Sequence, residues 1–140
     1  MQQDAKLTTK ELAGRLNLSA TPVYERIKRL ENEKAIKKYV ALVDREKLGL
    51  DLMVLCNIKL KEHAKEAGMK FVKFISLMPE VVEVLNISGD YDFQIKVVVT
   101  DMREYQSFIM NKLASLENIG STQSIFVMGE IKNETSYLAR

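Results

Sequence analysis

The chain has 140 residues, 46% of them hydrophobic, and 21 Lys and Arg against 19 Asp and Glu give a formal net charge of +2. That length holds one domain or two small ones, and the composition is ordinary for a soluble globular protein. No run of about eighteen apolar residues occurs and the start carries no signal-peptide core, so no membrane span is expected and the expected location is cytoplasmic. Cys56 is the single cysteine, which excludes an internal disulfide and a cysteine-based metal knuckle; its apolar setting predicts a buried structural thiol. The charge is uneven. Residues 1–50 hold eleven Lys and Arg against seven Asp and Glu, and residues 51–140 hold ten against twelve. A basic first third points to a polyanionic partner.

Thr8-Thr9-Lys10-Glu11 fits a capping box, with Thr8 as N-cap and Glu11 reaching back to it. A short helix is predicted from about Thr9 to Leu16, its inner face Leu12, Ala13 and Leu16. Asn17-Leu18-Ser19 interrupts it, and Ser19 is placed to cap a second helix. The first turn of that helix tolerates Pro22, whose missing N–H is unneeded there. Val23, Ile27 and Leu30 then fall on one buried face, while Thr21, Tyr24, Arg26, Lys28 and Arg29 face outward.

Two short helices with a tight turn and a basic outer face make a helix-turn-helix candidate. A helix about 10–12 Å across fits the DNA major groove, where residues near its N-terminus reach base edges and flanking cations meet phosphates. The alternative is a solvated face, with Arg26, Lys28 and Arg29 balanced by Glu25, Glu31 and Glu33.

Ile36 to Val43 reads as a strand and Asp44 to Gly49 as its turn. Leu52 to Leu60 is a second strand, followed by a helix from about Ala64 to Met78 with a stripe of Val72, Ile75 and Met78. Gly68, inside that helix, is read as a close crossing over the sheet, and Pro79 ends the helix. Val81–Ser88 and Phe93–Val99 are two apolar arms hinged on Gly89-Asp90-Tyr91-Asp92, a β-hairpin expected in the middle of a sheet. Asp101 caps a helix with Tyr105, Phe108, Ile109, Leu113 and Leu116 inward, and Gly120 leads to a last strand, Thr122 to Ile131.

This βαββαβ order is the ferredoxin-like split unit, an α+β domain with both helices on one face of an antiparallel sheet. The helices cover one face only. Met53 and Leu55 alternate with Val54 and Cys56, and Ile125 and Val127 with Phe126 and Met128, so the open face is expected to be apolar and to form a dimer.

Leu18-Ser19-Ala20-Thr21-Pro22-Val23, Arg26-Ile27-Lys28-Arg29-Leu30-Glu31, Ile36, Tyr39-Val40-Ala41-Leu42-Val43-Asp44, Lys47-Leu48-Gly49-Leu50 and Ser88-Gly89-Asp90-Tyr91-Asp92 occur in one order over nearly the whole chain. In that order and spacing the chain resembles the Lrp/AsnC, or leucine-responsive, transcriptional regulators. The resemblance implies a helix-turn-helix domain with its connecting strand over 1–45 and a RAM-type effector-binding and oligomerisation domain over 46–140. It also implies operator DNA as partner, a homodimer through the β-sheet face, higher assembly such as an octamer, and an amino-acid effector in place of any cofactor. Ser19, Thr21, Tyr24 and Arg26 would face bases, with Lys28, Arg29, Lys37 and Lys38 nearer phosphates. Effector candidates are Gly89, Asp90, Tyr91 and Asp92, plus Thr122 and Ser124 where relatives often have Thr-x-Thr. A zwitterion needs backbone N–H groups for its carboxylate and acceptors for its ammonium; the alternative is a tight hairpin in which Gly89 supplies positive φ and Asp90 bonds its own backbone.

Two departures from the family pattern stand out. Relatives carry a further helix before the pair, whereas Met1 to Leu7 is under two turns, so the first helix is expected to be truncated and the inner face of the pair to lack one wall. Lys34 stands where relatives place the Gly that ends the recognition helix in a left-handed conformation, so either that cap is strained by about 1 kcal/mol or the turn differs. A sensor without DNA binding, an amino-acid-binding assembly module, is the alternative function. An enzyme is not expected: His63, the single histidine, sits in the polar stretch Lys61-Glu62-His63, read as a solvated loop, and no metal-ligand spacing or phosphate loop occurs.

Overall fold

The computed structural model describes residues 1–138. They fall into two compact units, one made of Met1–Val43 with the segment from Ile131 onward, the other of Asp44–Glu130.

In the first unit α1 spans Thr9–Leu16 and α2 spans Ala20–Asn32. The capping box forms as its residues require: Thr8 Oγ1 accepts from Glu11 N–H at 3.2 Å, and Glu11 Oε2 accepts from Thr8 N–H at 2.7 Å. Asn17, at φ 54°, closes α1 in the left-handed region. Ser19 occupies the N-cap of α2 in extended conformation, but its side chain makes no cap bond. The reason is Pro22. It stands at the third helical position, so one of the two N–H groups that an N-cap oxygen normally accepts does not exist. The left-handed cap at Lys34 is present, φ 58°, with Lys34 N–H donating to the Glu31 carbonyl and Ile36 N–H to that of Leu30, each at 3.0 Å.

Within the two helices only Ala13 and Val23 are fully buried. Leu16 is 55% exposed and Leu30 37%, so the inner face has an open wall, as expected. A fully buried large aliphatic side chain contributes roughly 1.5–3 kcal/mol, and this pair collects little of that. Ile36–Val43 is not a strand in this chain. A ladder needs a neighbour, and the single sheet contains no strand from this segment; Leu42 and Val43 are left 72% and 68% exposed. The C-terminal segment joins this unit through Gln2, whose Nε2 donates to the Tyr137 carbonyl at 3.0 Å.

The second unit is the expected βαββαβ domain: β1 Leu52–Leu60, α3 Lys65–Ile75, β2 Val81–Asn86, β3 Phe93–Val99, α4 Met102–Ser107 and β4 Ile119–Phe126. A π turn, Phe108–Lys112, and a 3-10 turn, Leu113–Ser115, extend α4. The sheet is antiparallel in order β2-β3-β1-β4. The hairpin is therefore not wholly central. The crossover sets β1 beside β3, so β3 gains two neighbours and β2 is left at the edge, its pairing interrupted between Val81 and Glu83. On the helix-covered face Val54, Cys56, Ile58, Ile95, Val97 and Val99 meet Phe71, Ile75, Tyr105, Phe108 and Leu113 in one buried cluster. Cys56 is fully buried, and burial pushes its thiol pKa up.

Three expectations fail here. The buried stripe of α3 is Phe71 and Ile75, with Met78 packed against the same core; Ile75 and Met78 turn inward as expected, whereas Val72 is 37% exposed and Phe71 takes its place. Gly68 makes no close crossing, since a Cβ there would meet nothing within 4 Å. Strand β4 ends at Phe126 rather than Ile131 because β1, its only partner, runs out: Val127 N–H donates to the Met53 carbonyl at 3.0 Å and pairing stops. The open face is also more polar than expected. Register places Met53, Leu55, Val98 and Ile125 there together with Asn57, Gln94 and Gln123, and Asn57 links the other two, accepting from Gln94 at 2.9 Å and donating to Gln123 at 3.2 Å.

With no steric reason for glycine at position 68, Gly68→Ala should stabilise the protein by about 0.5–1 kcal/mol in urea unfolding. A loss of stability would mean that the helix needs glycine for a contact this structure does not contain.

Candidate functional site

The eight candidate DNA contacts, Ser19, Thr21, Tyr24, Arg26, Lys28, Arg29, Lys37 and Lys38, are all exposed. They are not electrostatically equivalent. Lys28 pairs with Glu31 at 3.3 Å and lies 5.6 Å from the centre of the Tyr24 ring, and Glu31 also accepts from the Tyr39 hydroxyl at 2.9 Å. Those bonds from Tyr39 and Lys28 hold the Glu31 carboxyl below its usual pKa, and Glu31 in turn raises that of Lys28. Arg26, Arg29, Lys37 and Lys38 enter no ion pair among the described residues, so four cations stay uncompensated by a short-range partner. Around the helix Thr21, Tyr24 and Lys28 share one side, while Arg26 points roughly 160° away from Lys28 at about 100° per residue.

The hairpin turn sorts its two carboxylates. Asp92 is committed to the fold: its Oδ2 accepts from Leu60 N–H at 2.7 Å and contacts His63 Nε2 at 3.1 Å, its N–H donates to the Ile58 carbonyl at 2.9 Å, and its carbonyl accepts from Ile87 N–H and Asn86 Nδ2. The Leu60 bond, more than His63, depresses its pKa. Asp90 is exposed and makes no hydrogen bond among the described residues, so it does not bond its own backbone. Gly89 adopts φ 107° as the tight-turn reading requires, and Tyr91 is half-buried beside it.

Thr122 pairs with Ile58 and Ser124 with Cys56. Because Asp92 also bonds Ile58, Thr122 lies at the same sheet end as the turn. Strand β1 stands between them, a separation of about 10 Å over two strand spacings. Ser124 is further along and shares a short hydrogen bond with the Tyr105 hydroxyl, whose pKa burial pushes up to about 12. One chain thus gathers the turn and Thr122 at one rim without enclosing them. A cleft of about 450 Å³ lies elsewhere, between α3 and the loop before β4, and none of the six effector candidates lines it.

His63 lies in a solvated loop as expected, its side chain 61% exposed, and from there it also reaches Asp92 of the turn. The available signal was a histidine three residues beyond a buried strand, within reach of whatever the strand end meets. No group of three or more His, Cys, Asp or Glu that could hold a metal occurs among the described residues.

A family model for the Lrp/AsnC ligand-binding domain matches residues 53–137, and one for winged helix-turn-helix DNA binding matches residues 1–37. The chain belongs to the Lrp/AsnC family. It is 38% identical to the DNA-binding transcriptional activator DecR of Escherichia coli (strain K12) over 97% of this chain and 90% of that one. An AsnC family regulator from Agrobacterium tumefaciens superposes with TM-score 0.92 at 35% identity, over 98% of this chain and 89% of that one. A Neisseria meningitidis regulator solved as an L-Met complex does so with TM-score 0.92 at 31% identity, over 98% and 88%. This Lrp/AsnC protein is a DNA-binding transcriptional regulator, in a family made up of such regulators. Its two matched regions correspond to the basic helix pair and to the sheet domain that carries the Gly89–Asp92 turn.

Because the folded state depresses the Asp92 pKa, the contribution of Asp92 to stability is complete above its unfolded value, about 3.9, and is lost as pH falls through the folded value. Asp92→Asn should therefore flatten the acid limb of stability against pH below about pH 4. An acid limb identical to that of the unchanged protein would show that the Leu60 and His63 contacts are not formed in solution.

Proposed function

We propose that this Lrp/AsnC regulator reads operator DNA with α2, acts as a homodimer or a higher assembly such as an octamer, and takes an amino acid as effector. The observation that carries the DNA part is the set of exposed cations Arg26, Arg29, Lys37 and Lys38, none held in an ion pair among the described residues. Ser19, Thr21 and Tyr24 lie at the helix start, the end that reaches base edges. Lys28 and Arg29 follow on the outer side toward phosphates, and the flank position of Arg26 suits a phosphate better than a base. Lys28 must leave Glu31 to contribute in full.

Dimerisation is supported by the unpaired Tyr39–Val43 segment, whose backbone and apolar side chains want a second strand, and by Met53, Leu55, Val98 and Ile125 on the open sheet face. For the effector, Asp90 offers an uncommitted carboxylate to an ammonium group and the Gly89 turn offers backbone donors. Thr122 from a second copy is the natural complement, since β1 keeps the chain's own Thr122 apart from the turn. A relative solved with L-Met supports an amino acid as the class.

One observation favours the second reading, an amino-acid-sensing assembly module with impaired DNA binding: the thin burial between α1 and α2. A salt titration of DNA affinity separates the two. Arg29→Ala should weaken binding and reduce the slope of log K against log salt by about 1, with an isotherm requiring two chains per site. Unchanged affinity and slope would remove Arg29 from the interface, and a one-chain isotherm would contradict the dimer.

A further inference from the structure

The cleft beside α3 is absorbed by nothing above. It holds about 450 Å³, within the range of small-molecule sites. Its apolar part comes from Phe71, which is buried and packs against Phe93 with ring centres 4.9 Å apart and planes tilted by 39°, and from Phe74 and Leu116. Around these stand two cations, Lys61 and Lys70, and two anions, Glu62 and Glu117. None of the four is in an ion pair among the described residues. An apolar floor with both signs of charge at its rim fits neither a simple anion nor a hydrocarbon. It fits a zwitterion with an apolar side chain, whose carboxylate meets the lysines and whose ammonium meets the glutamates.

The walls are tied rather than loose. Asn118 Oδ1 accepts from Glu62 N–H at 2.8 Å, its Nδ2 donates to the Glu62 carbonyl at 3.0 Å, and its own carbonyl accepts from Lys61 N–H at 2.9 Å. The same short stretch, Leu60 to His63, holds Asp92 on its other side. Cleft and turn thus share a wall while using different side chains.

We propose that this cleft is a second small-molecule site, selective for free amino acids with apolar side chains and distinct from the Gly89–Asp92 turn. The proposal rests on the amino-acid reading above for the class of ligand but not for the place. Equilibrium dialysis with L-phenylalanine, L-methionine and L-leucine, with glycine as control, tests it on the full chain. Lys70 is exposed on α3, so Lys70→Glu should keep the fold, with Lys70→Arg as the charge-preserving partner. Two classes of site are expected in the unchanged protein. Lys70→Glu should weaken one class at least tenfold, Lys70→Arg should retain it, and Asp90→Ala should lose only the other. Loss of all binding in Asp90→Ala with Lys70→Glu unaffected would overturn the cleft and leave the turn site standing. Binding unchanged in both variants would overturn both sites. Absence of any amino-acid binding would overturn the cleft, and the DNA titration would still decide the regulator reading separately.

Discussion

The double pairing of β1 is the constraint on which the larger unit depends. Leu52–Leu60 bonds β3 on one side and β4 on the other, and its alternate residues Val54, Cys56 and Ile58 are fully buried against the helices. Its last residue then does a second job. Leu60 N–H anchors Asp92, and beyond it Lys61 and Glu62 are clasped by Asn118. The hairpin turn, the start of β4 and the cleft all take their positions from one strand end. Gly120 fits the same crowding, since a Cβ there would stand 3.2 Å from the Lys59 carbonyl.

Much of this was legible because it is local. The Thr8 capping box, the αL cap at Lys34, the Asp101 cap and the hairpin at Gly89 each follow from a few neighbouring residues, and their order gave the split topology. What the sequence hid is what depends on partners distant in the chain. Ile36–Val43 has the composition of a strand, but a strand exists only where something pairs with it. Val72 and Phe71 are both apolar, and which of them turns inward is decided by the phase of α3 over the sheet. Ser19 is a good capping residue, but Pro22 takes away one of the two donors it could accept from. Asp92 and Asp90 look alike two positions apart, yet contacts distant in the chain tell them apart, foremost Leu60 N–H, thirty-two residues upstream of Asp92, and then His63.

The candidate site shows the same logic at work on charge. Composition marked the first third as basic without revealing which cations are available. Glu31 engages Lys28 and leaves Arg29 and Arg26 without a short-range partner. Screening by salt acts most strongly on such exposed charges, which is why the regulator's affinity for DNA is expected to be steeply salt-dependent. The sheet domain combines a committed carboxylate that fixes the turn with an uncommitted one that faces solvent, an arrangement that can meet a ligand without unfolding its support.

The most direct test of the regulator account is fluorescence anisotropy of this chain with DNA from upstream of its own gene and with a scrambled control, at several salt concentrations and across a panel of amino acids. The account predicts a preference of well over tenfold for the native site and a shift in affinity with an amino acid. Equal, weak and salt-labile binding to both DNAs would mean attraction of charge alone and would contradict it.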